Sequence, residues 1–336
     1  MGMSDERSSI QRGSRQGRIS MTMIAVIVAA VVVAAGVAVY YLFIPRSGPE
    51  IVRIDGSSTV FPITSSWAVE FNTPSRQVTV AFSGTGGGFA KFCRGETDMN
   101  DASRPIRQSE LNLCTTNGIT GVTELLVAYD GLSIVVNKDN TWVQNLTVSQ
   151  LCRIWTSNTS SQACGGAGRR VTMWNQLDPS WPAQPIGLYG PGTDSGTFDY
   201  FVEAILGNVR TAHTDQYQAS EDDNQLVQGV ASDLHASGYF GYAYAVRNTA
   251  TIRIVPIDNE DGRGAIMPTH DTIRDGSYAP LSRPLFIYGS AASLSRQLVE
   301  DFLRFGYSTR GVQLVDATGY VSLIAAEIQA ELAKLS

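Results

Sequence analysis

From residue 50 onward, one pattern of apolar and polar positions recurs three times along the chain. An apolar run leads into a loop of Gly, Ser and Thr, and apolar residues at helical spacing follow. Short runs rich in Val and Ile are typical of buried strands, whereas apolar residues at i, i+3, i+4 and i+7 line one face of a helix. Strands that alternate with helices predict an α/β fold with mixed, mostly parallel sheets.

The pattern places strands at 51–54, 78–82 and 186–189, each followed by a polar loop and a helix. The third helix has the clearest apolar stripe, formed by Phe198, Phe201, Val202, Ile205 and Leu206. Further strands are predicted at 132–136, 239–246, 252–257 and 285–288, and further helices at 293–305 and 322–335.

The three loops, residues 55–59, 83–88 and 190–197, share a composition that suits anion binding. The first turn of a helix has backbone N–H groups without intrahelical partners, and the aligned peptide dipoles favour negative charge there. Glycine lets the backbone approach a ligand, and Ser or Thr adds a hydroxyl donor. One such loop is typical of an ordinary N-cap. Three that converge would form a neutral, donor-rich cage for a tetrahedral oxyanion.

One cation accompanies these loops. Arg104 follows the second helix and precedes Pro105, which disfavours helical backbone at the arginine. Its guanidinium fork could bind two oxygens of an anion at once. The alternative is a surface arginine paired with Asp98 or Asp101.

Composition excludes several classes of function. The 336 residues allow two domains, and 43% hydrophobic with 17% charged residues indicates a globular chain. A net charge of −6 argues against nucleic-acid binding. The three histidines are far apart in sequence, so the chain offers little for metal or acid–base chemistry, and no cofactor is predicted. The loops match neither a P-loop nor a G-x-S-x-G elbow, which leaves a hydrolase using Ser58 or Ser195 as the alternative from another class.

The N-terminal region predicts a membrane anchor. No charged residue lies between Ser20 and Ile44, and about 20 apolar residues suffice to span a bilayer. Basic residues remain on the cytoplasmic side, and they precede the run at Arg7, Arg12, Arg15 and Arg18. The sequence therefore predicts a cytoplasmic tail at 1–20, a transmembrane anchor at 21–44, a linker at 45–50 and an extracytoplasmic domain on a single-pass cell-membrane protein.

A cleaved signal peptide is the alternative to the anchor, because Ala34, Ala35 and Ala38 resemble a cleavage site. An even number of cysteines after such a segment predicts two local disulfides, although four cysteines allow three connectivities. Reduced, buried thiols are the other possibility. The candidates are Cys93, Cys114, Cys152 and Cys164.

The ordered motifs at 56–62, 83–88, 98–106 and 191–199 resemble those of the substrate-binding proteins of high-affinity phosphate ABC transporters, the Pst type, and most of all its SphX-like branch. The resemblance covers nearly all residues from 50 to the C-terminus. It implies a periplasmic-binding-protein-like, type II two-lobe fold, with lobe 1 at 51–128 plus 250–336 and lobe 2 at 129–249. It also implies a monomeric, non-enzymatic receptor that captures inorganic phosphate and delivers it to a permease.

Carried over by position, the resemblance places the anion on Ser58, Thr59, Val60, Thr85, Ser195, Gly196 and Thr197. The chain departs from the best-known members at two points. They have an arginine just before the Ser-Gly-Thr loop, where this chain has Gly190 and Pro191, and an acidic residue where it has Arg104. We infer that the cation has moved to the other lobe and that Arg104 supplies it.

This exchange leaves open which carboxylate accepts the proton of phosphate. Sulfate carries no proton near neutral pH, so a buried carboxylate would repel it and accept a hydrogen bond from phosphate. The candidates are Asp101, Asp194 and Asp55, of which we favour Asp101, and each could instead be a cap or turn residue. The alternatives for the whole protein are a receptor for sulfate or molybdate, and a membrane-tethered sensor.

Overall fold

The computed structural model describes residues 21–43, 49–160, 164–193 and 195–335, which belong to two compact units, Met1–Gly48 and Pro49–Ser336. In the first unit, helix α1 runs over Met21–Phe43. Among the described residues, no helix combines the length and the apolar character needed to cross a membrane. The anchor predicted at 21–44 is therefore not confirmed. The predicted tail at 1–20 and most of the linker lie outside the described residues.

The second unit alternates strands and helices, as the sequence predicts. The strands are β1 (Glu50–Gly56), β2 (Arg76–Val80), β3 (Met99–Ala102), β4 (Thr123–Asn137), β5 (Leu146–Thr147), β6 (Gly187–Gly190), β7 (Gln218–Ala219), β8 (Ala236–Gly241), β9 (Ile252–Ile254), β10 (Ile257–Asp258), β11 (Ala265–Ile266) and β12 (Ser282–Gly289). The helices are α2 (Phe61–Phe71), α3 (Thr85–Phe92), α4 (Gln108–Thr116), α5 (Val148–Trp155), α6 (Gly196–Ile205), α7 (Asp223–Ser232), α8 (Tyr242–Arg247), α9 (His270–Arg274), α10 (Ala291–Leu294), α11 (Gln297–Gly306), α12 (Thr309–Ala317) and α13 (Ala325–Ala333).

The main sheet is mixed. Its strand order is β2-β1-β3-β12-β4-β8-β6-β7, with β9 beside β4, and a smaller sheet has the order β11-β10-β5. Strand β1 is parallel to β2 and β3, and β6 is parallel to β7 and β8. Strands β4 and β12 instead make antiparallel pairs with each other and with their other neighbours in the main sheet. The predicted α/β fold with mixed sheets is confirmed. The prediction that the sheets are mostly parallel is wrong, because the long strands β4 and β12 pair only in the antiparallel sense, and the described strands form five parallel and five antiparallel pairs.

Strand β4 joins two hydrophobic cores. Its first half, residues 123–131, pairs with β12, and its second half pairs with β8 and β9. One core gathers around the first half and includes Trp67 and Phe302, and the other lies around the second half and includes Trp155 and Phe201. Tyr129 packs against both cores. The chain therefore has the two-lobe fold that the resemblance implies.

Several predicted elements differ from the observed ones. The strand predicted at 239–246 is wrong beyond Gly241, where α8 begins. The alternation of Tyr and Ala resembles a strand pattern, but a helix buries Tyr242 and Ala245 on one face. The helix predicted at 293–305 is two helices, because Arg296 has extended backbone, with φ −81° and ψ 125°, and separates α10 from α11. The strand predicted at 132–136 is only the second half of β4.

The second core extends past the predicted end of lobe 2 at residue 249. It also contains Val255, Ile257, Ile273, Tyr278 and Leu281. The exact limits of the lobes therefore stay a prediction.

The cysteines form two disulfides between sequence neighbours, Cys93–Cys114 and Cys152–Cys164, which confirms the local pairing. The first closes the connection from α3 to α4, and the second closes the loop after α5. Bridges over 21 and 12 residues restrict the unfolded chain and contribute about 3 kcal/mol each in the loop-entropy model. Disulfides persist mainly in proteins outside the cytoplasm, so the two bridges agree with the predicted extracytoplasmic domain.

Gly88 is where the second polar loop meets the sheet, and it generates a stability prediction. A Cβ on Gly88 would collide with Oδ1 of Asn100 and Cα of Gly56. We expect Gly88→Ala to lower the free energy of unfolding by about 1–3 kcal/mol through overpacking, measured by urea denaturation. The matched control is Gly86→Ala, whose Cβ would lie 3.6 Å from Nη2 of Arg104. An equal loss in both variants would contradict the prediction.

Candidate functional site

The first two polar loops lie side by side because of the strand order. They follow β1 and β2, which are adjacent and parallel, so both loops leave the same edge of the sheet. Gly56 ends β1 with φ 143°, and a Cβ there would strike the backbone of Asp101. Only glycine allows this close approach. Helices α2 and α3 then begin at Phe61 and Thr85, with their N-termini pointing back to this edge.

A cleft of about 370 Å³ lies in front of these loops. Its walls come from both lobes and from β12. The lining residues are Ser57, Ser58, Thr59, Gly84, Thr85, Gly86, Ser103, Arg104, Arg107, Asp199, Val202, Glu203, Asn208, Arg210 and Arg283. Short hydroxyls, backbone and arginine side chains dominate this surface. The cleft is therefore suited to a small, highly charged anion.

The third loop reaches the first loop at one point. A Cβ on Gly196 would lie 3.0 Å from Cα and 3.1 Å from N of Thr59. The N-terminus of α6 thus packs directly against the first loop. Ser195 caps α6, because its hydroxyl accepts a hydrogen bond from the N–H of Thr197 at 3.1 Å. Two of the three predicted loops converge here, and Gly84 and Thr85 of the remaining loop line the same cleft.

Thr85 and Val60, two other predicted ligand residues, take different positions. The Thr85 hydroxyl accepts a hydrogen bond from the N–H of Ser103 at 3.2 Å, which ties the second loop to the segment before Arg104. Val60 is completely buried as the residue before α2, so only its backbone could reach a ligand.

Arg104 lines the cleft, and its guanidinium is held by a carboxylate. Its Nη1 donates to Oε2 of Glu110 at 2.9 Å, and its Nη2 donates to Oε1 at 2.7 Å. The side chain also stacks over the ring of Phe89. The hydrogen bond with Glu110 raises the pKa of Arg104, so the group stays charged. The expected alternative partners are not used, since Asp98 pairs with Arg296 and Asp101 lies elsewhere.

A second cleft arginine, Arg283, was missed by the sequence reasoning. It lies on β12 directly opposite Asp130 of β4, and its Nε donates to Oδ2 of Asp130 at 3.2 Å. Its Nη2 donates to the hydroxyl of Thr59 at 2.9 Å. Its guanidinium therefore lies beside the contact between the first and third loops. The available signal was a charged residue next to Pro284 at the start of an apolar strand.

Helix α6 supplies the remaining partners of Arg283. Tyr200 lies under the guanidinium, with its ring centroid 3.6 Å from the Cζ atom. Glu203 accepts a hydrogen bond from Nη1 at 3.2 Å. Arg283 thus contacts the first lobe through Thr59, the crossing strands through Asp130 and the second lobe through α6. Farther along the same cleft, Arg210 pairs with Asp199 and donates to the carbonyl of Thr193.

Asp101 and Asp55, two of the predicted acceptor carboxylates, are not among the residues that line this cleft. Asp101 is completely buried and accepts a hydrogen bond from the Thr64 hydroxyl at 2.7 Å, and burial raises its pKa well above the ordinary value. Burial acts to raise the pKa of Asp55, but hydrogen bonds from Lys91 and Ser83 hold that pKa below the ordinary value. Asp194 lies outside the described residues. The assignment of the acceptor stays a prediction.

Metal binding has no support in the part of the chain that the structure describes. No group of three or more His, Cys, Asp or Glu side chains there is arranged to hold a metal ion. His213 is buried among aromatic rings, and burial lowers its pKa to about 4.

Comparisons with known proteins agree with this geometry. Residues 45–310 match the family model described as a PBP superfamily domain. The chain is 43% identical over 282 residues to protein SphX of Synechocystis sp., covering 83% of this chain and 80% of that protein. It is 36% identical over 289 residues to the phosphate-binding protein PstS of Staphylococcus saprophyticus, covering 84% of each.

Solved structures give the same result. A crystal structure of a possible phosphate binding protein from Planctomyces limnophilus superposes with a TM-score of 0.78 at 40% identity, covering 86% of this chain and 98% of that chain. PstS from Borrelia burgdorferi superposes with a TM-score of 0.60 at 20% identity, covering 82% of this chain and all of that one, which shows the fold alone.

The Arg283–Asp130 pair generates a prediction about stability and pH. Burial raises the pKa of Asp130 above its ordinary value, and Arg283 opposes that rise. In Arg283→Met the pKa of Asp130 rises further, because the opposing cation is lost. A buried carboxyl whose pKa is raised by folding lowers the stability of the fold most at a pH above that pKa, where it must ionise. We therefore expect Arg283→Met to lower the free energy of unfolding by about 3–5 kcal/mol at pH 7 and by less at pH 5, measured by urea denaturation.

The control for this prediction is the double variant Arg283→Met, Asp130→Asn. Asparagine needs no counterion, so the double variant should recover part of the stability and lose the difference between the two pH values. A loss in Arg283→Met that is equal at pH 5 and pH 7 would show that Asp130 does not depend on the arginine.

Proposed function

Because the chain belongs to the PBP superfamily and, within it, to the family of the SphX and PstS phosphate-binding proteins, we propose that it captures inorganic phosphate outside the cytoplasm. The anion binds between the two lobes and is delivered to the permease of an ABC transporter. The observation that carries the proposal is the contact of Gly196 with Thr59 beside the guanidinium of Arg283. That contact brings a helix N-terminus, a hydroxyl loop and a cation from different elements to one place.

The proposed ligand groups come from both lobes. Hydroxyl and backbone donors surround the anion, as expected for a ligand that loses its hydration shell on binding. The first lobe contributes Arg104, and β12 contributes Arg283 as a second cation. The donors assigned to the anion are Ser58, Thr59, Val60, Thr85, Ser195, Gly196 and Thr197. Asp101 is buried behind the first loop. It stays the predicted acceptor of the phosphate proton, and an Asp101→Asn variant would test this role.

Capture without chemistry is favoured over hydrolysis. A serine nucleophile at position 58 or 195 needs a general base within hydrogen-bond reach. Ser195 is used as the cap of α6. Among the described residues that line the cleft there is no histidine. A phosphatase is therefore the weaker candidate, and sulfate or molybdate remains the alternative ligand.

Phosphate binding is tested by calorimetric titration of the purified chain, freed of bound anion, with phosphate and sulfate at neutral pH. We expect one phosphate per chain with sub-micromolar affinity and no heat from sulfate. A preference for sulfate would contradict the phosphate assignment while leaving the cleft as an anion site. No binding of either anion would contradict the proposed function.

The role of Arg104 is tested by the same titration. We expect Arg104→Gln to weaken phosphate binding about 10- to 100-fold, because charged hydrogen bonds contribute about 1.5–3 kcal/mol. The matched control is Arg304→Gln, which removes the same charge from an exposed pair with Glu300 on α11. Equal affinities in the two variants would remove Arg104 from the ligand set.

We also propose that the segment 21–44 attaches the receptor to the cell membrane. The proposal rests on its uncharged, apolar sequence and on the arginines that precede it. We expect the chain to stay in the membrane pellet after alkaline carbonate extraction. A variant with two arginines introduced in place of Val31 and Val32 should be released. If the chain without substitutions is instead recovered in the supernatant and its N-terminus lies beyond residue 34, the result would support a cleaved signal peptide.

A further inference from the structure

The partners of Arg283 differ in how firmly they are held. The side chain of Asp130 is only 8% exposed, whereas that of Glu203 is 47% exposed. Thr59 is buried, and Tyr200 is buried under the guanidinium. Three of the four contacts are therefore fixed by packing. The contact with Glu203 is made by a flexible side chain that can turn into solvent at little cost.

Helix α6 explains why this carboxylate lies beside the proposed anion site. Residues four and seven positions apart lie on one face of a helix. Gly196, Tyr200 and Glu203 therefore share the face that is turned toward Thr59 and Arg283. The same helix that directs its N-terminus at the site places a negative charge about two turns further on. That charge binds the guanidinium at Nη1, one of its three engaged nitrogens.

We propose that Glu203 is a resident counter-carboxylate, which pairs with Arg283 in the ligand-free protein and gives up Nη1 when an oxyanion binds. This inference rests on the proposed function, because the anion must bind in the cleft beside the Thr59–Gly196 contact. The buried partners keep the guanidinium in position during the exchange. Glu203 therefore weakens anion binding by competing for Nη1. Only anions that can displace a carboxylate from this nitrogen then bind to the receptor.

Titration of the full chain with phosphate tests the exchange. We expect Glu203→Gln to bind phosphate about three- to fivefold more tightly, because a partly exposed ion pair contributes up to about 1 kcal/mol. Glu300→Gln is the matched control, since it removes the same charge from a helix ion pair outside the cleft. The control should bind phosphate as the unaltered chain does. Unchanged or weaker binding by Glu203→Gln would overturn the inference.

A double variant separates competition at Arg283 from a general effect of charge in the cleft. Arg283→Lys keeps the positive charge but loses the fork that holds three partners at once. If Glu203 acts through the fork, the gain from Glu203→Gln should fall to less than half in the Arg283→Lys background. An undiminished gain would mean that Glu203 acts only through the field, and this would overturn the inference.

The same titrations distinguish this inference from the proposed function. An unaltered chain that binds no phosphate contradicts both. An unaltered chain that binds phosphate, together with a Glu203→Gln variant of equal affinity, contradicts the inference alone.

Discussion

The buried ion pair between Arg283 and Asp130 is the interaction on which the site depends. The two residues lie opposite each other on β12 and β4, the strands that join the lobes. A buried pair of this kind adds little net stability, because removing both charges from water costs about as much as their attraction returns. Its contribution is positional. The pair fixes the guanidinium at the junction of the lobes, and from there it contacts Thr59 on one side and α6 on the other.

Other arginines of the cleft are also held in place by ion pairs with carboxylates. Arg104 is gripped by Glu110, and Arg210 is paired with Asp199. Arg283, Arg104 and Arg210 are thus each neutralised and oriented by a carboxylate of the protein. A chain with net charge −6 can in this way present guanidinium groups to an anion without accumulating positive charge. Attraction for the anion then comes from short-range hydrogen bonds and helix termini more than from the long-range field.

The sequence predicted what depends on local pattern. The polar loops and the helices that follow them are encoded within a few residues, so their positions could be inferred. Their convergence depends on the strand order and was implied only by the resemblance. Arg283 could not be found in this way, because its partner Asp130 is 153 positions distant and the pairing depends on strand register. The first half of β4 was missed for a related reason. Its polar residue Glu124 contacts β12, and Tyr129 contacts α13. A local sequence pattern does not contain these distant contacts.

The disulfide Cys93–Cys114 has a consequence for the wall of the cleft. Cys93 follows the last residue of α3, the helix that begins at the second polar loop, and Cys114 lies on α4, which also carries Glu110. One covalent bond therefore joins the loop's helix to the helix that orients Arg104. Because disulfides form and persist outside the cytoplasm, this covalent link in the wall belongs to the same compartment as the binding domain.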